Sequence, residues 1–470
     1  MQKTLTLTLS RSTGRGDKDQ QMQTMSRYRT ALSRVASDYG MAGVLLLLCL
    51  YYSWATLKPQ QGVGREAAES LAAEVVAAAQ PSSRVLVVAR TSREDVLFAD
   101  TLERALRERG LTVVASVKGE PRDARAALES LAAKGEPVHF IAATADAAEW
   151  LVLRDVGERW PTLGSPRVMV PPSGRWPTFL SATNLLNVAN QAVLMSLLAV
   201  GMTLVIITGG IDLSVGSLVA LSAVVSTLLV RRFGGPEAGP ATVALCCACG
   251  VVACAAAGAA SGSLITLFAI PPFIATLGMM LVARGQAYTR SQGQSVYGMP
   301  ESFAWLGRGT TLGVSNGLVL MVAVYVATHV LLSRTMLGRY VYAVGGNAEA
   351  ARLSGVRVKG VLLFVYTLNG ALAGLAGVML SSQLNSGAPT YAVMAELDAI
   401  AAVVVGGTSL AGGSGRVFGT LIGALIITVI RNGMNLTHVG NYEQMQVLGL
   451  VLLGAVIFDS VRRRGWRLFA

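Results

Sequence analysis

Long apolar runs constrain this chain more than any other feature. Ten stretches are apolar and nearly free of charge, at about 41–57, 185–208, 212–230, 241–268, 271–289, 316–333, 360–381, 397–411, 416–434 and 445–460. A bilayer core about 30 Å thick is crossed by roughly 20 apolar residues in helix. Lipid-exposed backbone must satisfy its own hydrogen bonds, so spanning segments of this length are helices. Hydrophobic residues make up 52% of the 470, and charged residues only 14%, a balance unlike that of a soluble enzyme. The pattern predicts an all-α polytopic membrane protein of about ten transmembrane helices. The run at 397–411 is too short to cross alone.

Residues 60–180 interrupt this rhythm. They carry 15 basic and 16 acidic side chains, close to neutral, and alternate between two periodicities. Arg84–Ala89 reads as a buried strand, Ser92–Gly110 as an amphipathic helix stopped by glycine, and Leu111–Val117 as a second strand. Pro121–Lys134 is expected as a helix with proline in its first turn. Val138–Ala142 is a third strand, Asp146–Trp160 a third helix and Arg167–Val170 a fourth strand. Such alternation predicts a small inserted three-layer α/β domain with a parallel sheet. Pro161, Pro166, Pro171, Pro172 and Pro177 suggest a stiff linker back to the membrane.

The net charge is +12, and its placement sets the topology. Residues 1–38 are polar and basic, as expected of a disordered cytoplasmic tail. Residues 39–59 are expected as an uncleaved anchor ending in an aromatic belt of Tyr51, Tyr52 and Trp54. The polar leader is long for a signal peptide, and no small-x-small cleavage site is evident. The 60–180 domain then emerges outside the cytoplasm, and the membrane domain occupies 181–461. Ten crossings return the C-terminus to the cytoplasm with the basic tail 462–470. That count also puts the loop flanked by Arg334, Arg339, Arg357 and Lys359 inside, as the positive-inside rule expects. Arg231 and Arg232 fall outside. Basic residues set singly beside apolar runs do not suit nucleic-acid binding.

Two glycine breaks repeat within the membrane region. Gly209-Gly210-Ile211-Asp212-Leu213-Ser214-Val215-Gly216 aligns with Gly406-Gly407-Thr408-Ser409-Leu410-Ala411-Gly412-Gly413, each after an apolar run. Matching glycine interruptions in two halves point to a translocation path, because freed backbone groups survive at depth only against protein or a watery cavity. The polar island 343–356 holds Glu349-Ala350-Ala351 and, four positions on, Gly355. It is expected as a short exposed helix ended by a glycine that can take φ > 0.

These three blocks carry a resemblance. Thr208–Gly216, the loop from Gly338-Arg339-Tyr340 to Val356, and Glu396–Gly413 closely resemble the ribose/xylose-type sugar permease family of ATP-binding-cassette (ABC) importers, in family order over roughly 181–460. The Glu-Ala-Ala-x-x-x-Gly spacing resembles the loop by which such permeases dock into their ATPases. The resemblance implies a permease subunit in the bacterial inner membrane, translocating a monosaccharide or related small polar solute. It implies as partners a cytoplasmic ABC ATPase, a periplasmic solute-binding protein, a second permease copy or homologue, and membrane lipid. It assigns no cofactor to this chain; ATP and Mg belong to the partner ATPase. The 60–180 domain has no counterpart in the usual members. It leaves open a second function, a membrane sensor or receptor in which that domain binds a ligand or partner and transport is secondary or lost.

On this reading Gly346, Asn347, Glu349, Ala350, Ala351, Arg352, Ser354 and Gly355 form the ATPase-coupling loop, with Glu349 and Arg352 on one face of the helix. Asn190, Gln191, Gly209, Gly210, Asp212, Ser214, Gly216, Gly406, Gly407 and Ser409 line the path or its helix breaks. Asp212 is an intramembrane acid and so a functional candidate; it serves either as a cap at a helix start or as a hydrogen-bond partner for solute. Ser217 is a further neutral polar group. Glu396 and Asp398 are expected at a hydrated interface. The five cysteines lie in apolar runs without zinc-site spacing. No phosphate-binding loop and no catalytic constellation of histidine with serine or cysteine occurs, so neither an enzyme nor an internal energy source is indicated.

Overall fold

The computed structural model describes residues 40–62, 64–80 and 82–464. The expected tail 1–38 and the end of the basic tail 462–470 lie outside the described residues. The chain divides into two compact units, Thr56–Thr178 and the rest.

A helix α1 (Gly40–Ala55) precedes the smaller unit. That unit contains β1 (Leu57–Gln61), α2 (Gly64–Ala78), β2 (Arg84–Ala89), α3 (Arg93–Glu108), β3 (Thr112–Lys118), α4 (Pro121–Ala133) and β4 (Phe140–Ala143). Three single turns follow, α5 (Ala145–Ala148), α6 (Leu151–Arg154) and α7 (Val156–Arg159), then β5 (Arg167–Met169) and β6 (Ser173–Pro177). The main sheet has the order β3-β2-β4-β5, and all its pairs are parallel. Alternate residues of β2 serve opposite faces, as the pleat requires. Val85, Val87 and Ala89 pack with Leu71 of α2 and Phe98 and Leu102 of α3. Leu86 and Val88 pack with Leu128 of α4 and with Leu153 and Leu163. Caps fix the helix starts: Ser92 accepts from the Asp95 N–H, and Glu120 and Asp123 form a reciprocal capping box before α4.

Three expectations are corrected here. Helix α2, which covers one sheet face, had no counterpart in the sequence reading. The single helix expected at 146–160 is three short turns, because Trp150, Asp155 and Trp160 leave helical geometry. The proline-rich stretch is not a linker: it supplies β5 to the sheet, and β6 pairs antiparallel with β1, Leu57 opposite Pro177. Entry and exit strands thus lie side by side.

The larger unit continues with α8 (Ala182–Ile207), α9 (Val215–Arg232), α10 (Pro240–Leu267), α11 (Pro272–Ser291), α12 (Trp305–Arg308), α13 (Asn316–Arg334), α14 (Met336–Gly346) and α15 (Ala348–Leu353). It ends with α16 (Val358–Leu384), α17 (Ala395–Val405), α18 (Val417–Leu436) and α19 (Asn441–Arg464). Among the described residues, six helices are long and apolar enough to cross a membrane: α8, α9, α10, α13, α16 and α18. The runs expected at 212–230 and 397–411 are shorter as helices. Helix α9 begins only at Val215, and α17 spans 11 residues and ends at Val405. In both cases the glycine-bearing segment is turn, bend or irregular chain.

Helix α8 is the centre of this unit, buried on every side from Ala192 to Ile207 apart from Leu194. It is joined to α18 at two levels. Asn184 and Asn432 exchange amide hydrogen bonds of 3.0 and 2.9 Å, and the hydroxyls of Thr203 and Thr420 lie 2.7 Å apart. Interhelical bonds of this kind contribute roughly 0.6 kcal/mol each, up to about 1.7. Helices α10 and α16 meet through paired small-residue motifs, Gly258-x-x-x-Gly262 and Gly370-x-x-x-Gly374. A Cβ on Gly258 would overlap the Tyr366 carbonyl, and one on Gly370 the Cys254 carbonyl. Cys254 is buried in that contact, its Sγ 3.1 Å from the Leu218 carbonyl oxygen. Tyr52 of α1 is also packed inward, against Gly433 and Phe179, whereas Tyr51 and Trp54 remain exposed.

Candidate functional site: two glycine breaks and an exposed helix

The first break follows α8. Thr208 closes the helix, its hydroxyl donating to the Val205 carbonyl at 2.7 Å, and Gly209 turns the chain with φ +79°. The irregular segment that follows leaves backbone groups without helical partners, and two side chains, Thr276 and Asp212, supply them. Thr276 of α11 accepts from the Leu213 N–H at 3.2 Å and has the Ile211 carbonyl at the same distance. Asp212 Oδ1 accepts from the N–H and hydroxyl of Ser214, at 2.8 and 2.6 Å. Its Oδ2 accepts from Asn369 of α16 at 2.8 Å. Asp212 is fully buried, so in this conformation its carboxylate holds the start of α9 against α16. Tyr366 stands beside it, its hydroxyl where a Cβ on Gly210 would sit.

The second break follows α17 and is built differently. Gly407, Gly412 and Gly413 take φ of +88°, +84° and +72°, conformations that other residues adopt only under strain. Backbone bonds close the turn: the Ser409 N–H donates to the Ser414 carbonyl and the Gly412 N–H to the Ser409 carbonyl. The Ser409 side chain adds one 3.3 Å bond from the Ala411 N–H.

The two breaks touch. The Gly413 N–H donates to the Ile207 carbonyl at 2.8 Å, and a Cβ on Gly412 would lie 3.0 Å from the Gly209 nitrogen. The same pairing brings α9 to the start of α17: a Cβ on Gly216 would overlap Glu396 Oε2 and lie 2.6 Å from the Ala392 carbonyl oxygen. Four charged residues surround that start. Arg284 donates to the Pro389 and Tyr391 carbonyls at 2.7 and 2.8 Å, and Asp398 is buried and paired with Arg431 of α18. Glu396 is half-buried between exposed Met394 and Leu397. Asn190 and Gln191 stand apart from the breaks. They lie on the first half of α8, roughly 25 Å along the helix from Ile207, where Gln191 is exposed.

The polar island is a helix with both ends capped. Asn347 Oδ1 accepts from the Ala350 N–H at 2.9 Å. At the other end the Val356 N–H donates to the Ala351 carbonyl and Gly355 takes φ +84°, a glycine-terminated helix end. Ala351 is buried beneath the helix, while Gly346, Asn347, Glu349, Ala350, Arg352, Leu353, Ser354 and Gly355 are exposed. Arg352 pairs with Glu349 through bonds of 3.0 and 2.5 Å. Through hydrogen bond and charge its guanidinium holds the Glu349 carboxyl below the usual carboxylate range. Leu353, 75% exposed, is an apolar tip on an otherwise polar knob.

A family profile described as "Branched-chain amino acid transport system / permease component" matches residues 184–458, which include both breaks and the capped helix. The chain belongs to this permease family. The permease is 46% identical over 291 residues to the ribose import permease protein of Escherichia coli (strain K12), covering 61% of this chain and 88% of that one. It is 45% identical over 285 residues to the ribose import permease protein of Bacillus subtilis (strain 168), covering 60% and 86%. It is 39% identical over 287 residues to the L-arabinose ABC transporter permease protein of Azospirillum brasilense, covering 61% and 83%. No solved structure matches. The permease is thus a multi-pass inner-membrane subunit of an ABC importer, a transport protein and not an enzyme, and as such works with an ATPase and a solute-binding protein. The unit Thr56–Thr178 lies outside the matched residues.

Sequence reasoning missed Thr276, Asn369, Tyr366, Arg284 and Arg431. Each looks like an ordinary polar residue of a membrane helix until the fold sets it beside a break. Arg284 and Arg431, charges within apolar runs, carried the one signal available.

Proposed function

We propose that the permease translocates a monosaccharide of the ribose or arabinose type inward, driven by a cytoplasmic ATPase that docks on α15. The observation that carries this is the contact between two glycine breaks in the membrane unit, one of them adjoining an exposed, double-capped helix. Identities of 39–46% to permeases named for ribose and L-arabinose support the substrate class. The ATPase binds ATP and Mg, a periplasmic binding protein delivers solute, and a second copy of the permease completes the path. Ten crossings put both termini and α15 in the cytoplasm and the 56–178 unit outside.

The test is ATP hydrolysis by the permease–ATPase complex in vesicles, with binding protein, across a panel of pentoses and hexoses. A pentose stimulates hydrolysis and is taken up; no response to any sugar overturns the substrate class. Glu349→Arg puts like charges at i and i+3 and abolishes co-purification of the ATPase while the permease still inserts. An ATPase that co-purifies at the wild-type ratio removes the docking role.

The α/β unit motivates a second role, that of an accessory receptor on the permease body. Because Leu57 pairs with Pro177, residues 58–176 are replaceable by a short turn without stretching the chain. Uptake at the full rate after that excision excludes an essential receptor, and loss of uptake with normal insertion establishes one.

A further inference from the structure

We propose that α14 is a lever, with Gly345 as its contact point, that carries movement of α15 into both glycine breaks at once. This rests on the reading of α15 as the ATPase-docking helix and adds the route by which docking reaches the membrane core.

The elbow between the two helices is a single residue. The Asn347 N–H donates to the Ala343 carbonyl at 3.1 Å and closes α14, while Asn347 Oδ1 caps α15. Helix α14 cannot lag behind α15 unless one of these bonds breaks. At its end, α14 meets the breaks through backbone. A Cβ on Gly345 would overlap the Ile207 carbonyl oxygen and lie 2.6 Å from the Gly413 nitrogen, the two atoms already joined by a hydrogen bond. A Cβ on Gly412 would lie 2.8 Å from the Gly345 carbonyl oxygen, and one on Gly413 2.9 Å from the Gly346 Cα. One turn earlier, the Tyr342 hydroxyl donates to the Gly415 carbonyl at 2.8 Å.

Three segments therefore touch main chain to main chain: the end of α8, the end of α14 and the 409–415 turn. Main-chain contact has no rotamer to absorb a displacement, and close-packed groups pass strain on. A movement of α15 reaches the α8–α9 break through Ile207 and the α17–α18 break through Gly413 and Gly415. The glycines are needed because any side chain at 345 would hold the segments apart. Gly278 of α11 is the internal control, since a Cβ there meets nothing within 4 Å.

The experiment compares Gly345→Ala, Gly278→Ala and Tyr342→Phe in the permease–ATPase complex in vesicles, with the pentose that the wild type takes up. Coupling along such a route changes by about 0.5–2 kcal/mol on mutation, or roughly 2- to 30-fold. Gly345→Ala lowers stimulated hydrolysis and uptake by about ten-fold, Tyr342→Phe by about two-fold, and Gly278→Ala leaves both near wild type. The ATPase co-purifies with all three. A second readout needs no solute. On a background whose native cysteines are replaced by serine, maleimide labelling of Ala411→Cys changes between nucleotide-free and ATP-bound states, and Gly345→Ala removes that change. Wild-type coupling in Gly345→Ala, or equal defects in Gly345→Ala and Gly278→Ala, overturns the lever. Loss of the ATPase from Gly345→Ala makes Gly345 part of the dock and also overturns it, leaving the docking role of α15 intact. If Gly345→Ala fails to accumulate, Tyr342→Phe decides, and unchanged stimulation there refutes the proposal.

Discussion

The two glycine breaks share a sequence pattern and differ in what holds them. The α8–α9 break is irregular chain pinned by side chains from three places, Asp212 itself, Thr276 and Asn369. The α17–α18 break is a compact turn closed by its own backbone and by glycines at positive φ. Freed backbone groups at membrane depth have to be satisfied in either case. Chain that closes no turn of its own needs outside partners, whereas a closed turn needs only residues that tolerate its φ. The first break is consequently sensitive to side-chain chemistry, and the second to the presence of a Cβ.

The largest effect that separates them is at Asp212. Asp212→Ala leaves the Ser214 N–H and the Asn369 amide without an acceptor, at roughly 1–3 kcal/mol for each buried donor. The expected outcome is a marked fall in thermal stability in detergent and loss of uptake, with Asp212→Asn intermediate because one acceptor remains. A stable, active Asp212→Ala variant would break the comparison. Next comes Thr276→Val, similar in shape but without the hydroxyl that accepts from the Leu213 N–H. It is expected to cost about 1–2 kcal/mol, read as a midpoint lowered by a few degrees. The smallest effect is expected at Ser409→Ala, within about 0.5 kcal/mol, because backbone bonds already close that turn. A Ser409→Ala defect as large as that of Thr276→Val would show that the second break depends on side chains after all.

Much of the site was legible because its requirements are local. Gly209, Gly407, Gly412 and Gly355 each occupy a positive φ, and a glycine after an apolar or helical run is a local signal. The capped helix at 348–353 was equally visible, since Asn347 and Gly355 mark its ends and charge marks its exposure. The role of Asp212 was not decided by its neighbours in sequence. A buried acid at a helix start suits capping and solute contact alike, and only the approach of Asn369, 157 positions away, accounts for its second oxygen.

Sequence alone determined where the chain is apolar, where it must turn and which segments carry charge. Periodicity, φ preference and charge are properties of a few adjacent residues. Tertiary structure decided which turns meet: Gly345 against Ile207, Gly413 against Ile207, Gly216 against Glu396. It also decided that a proline-rich stretch joins a sheet and a strand ribbon rather than serving as a linker. Such contacts depend on which distant segments pack together, and a glycine is silent about its partner until that partner is in place.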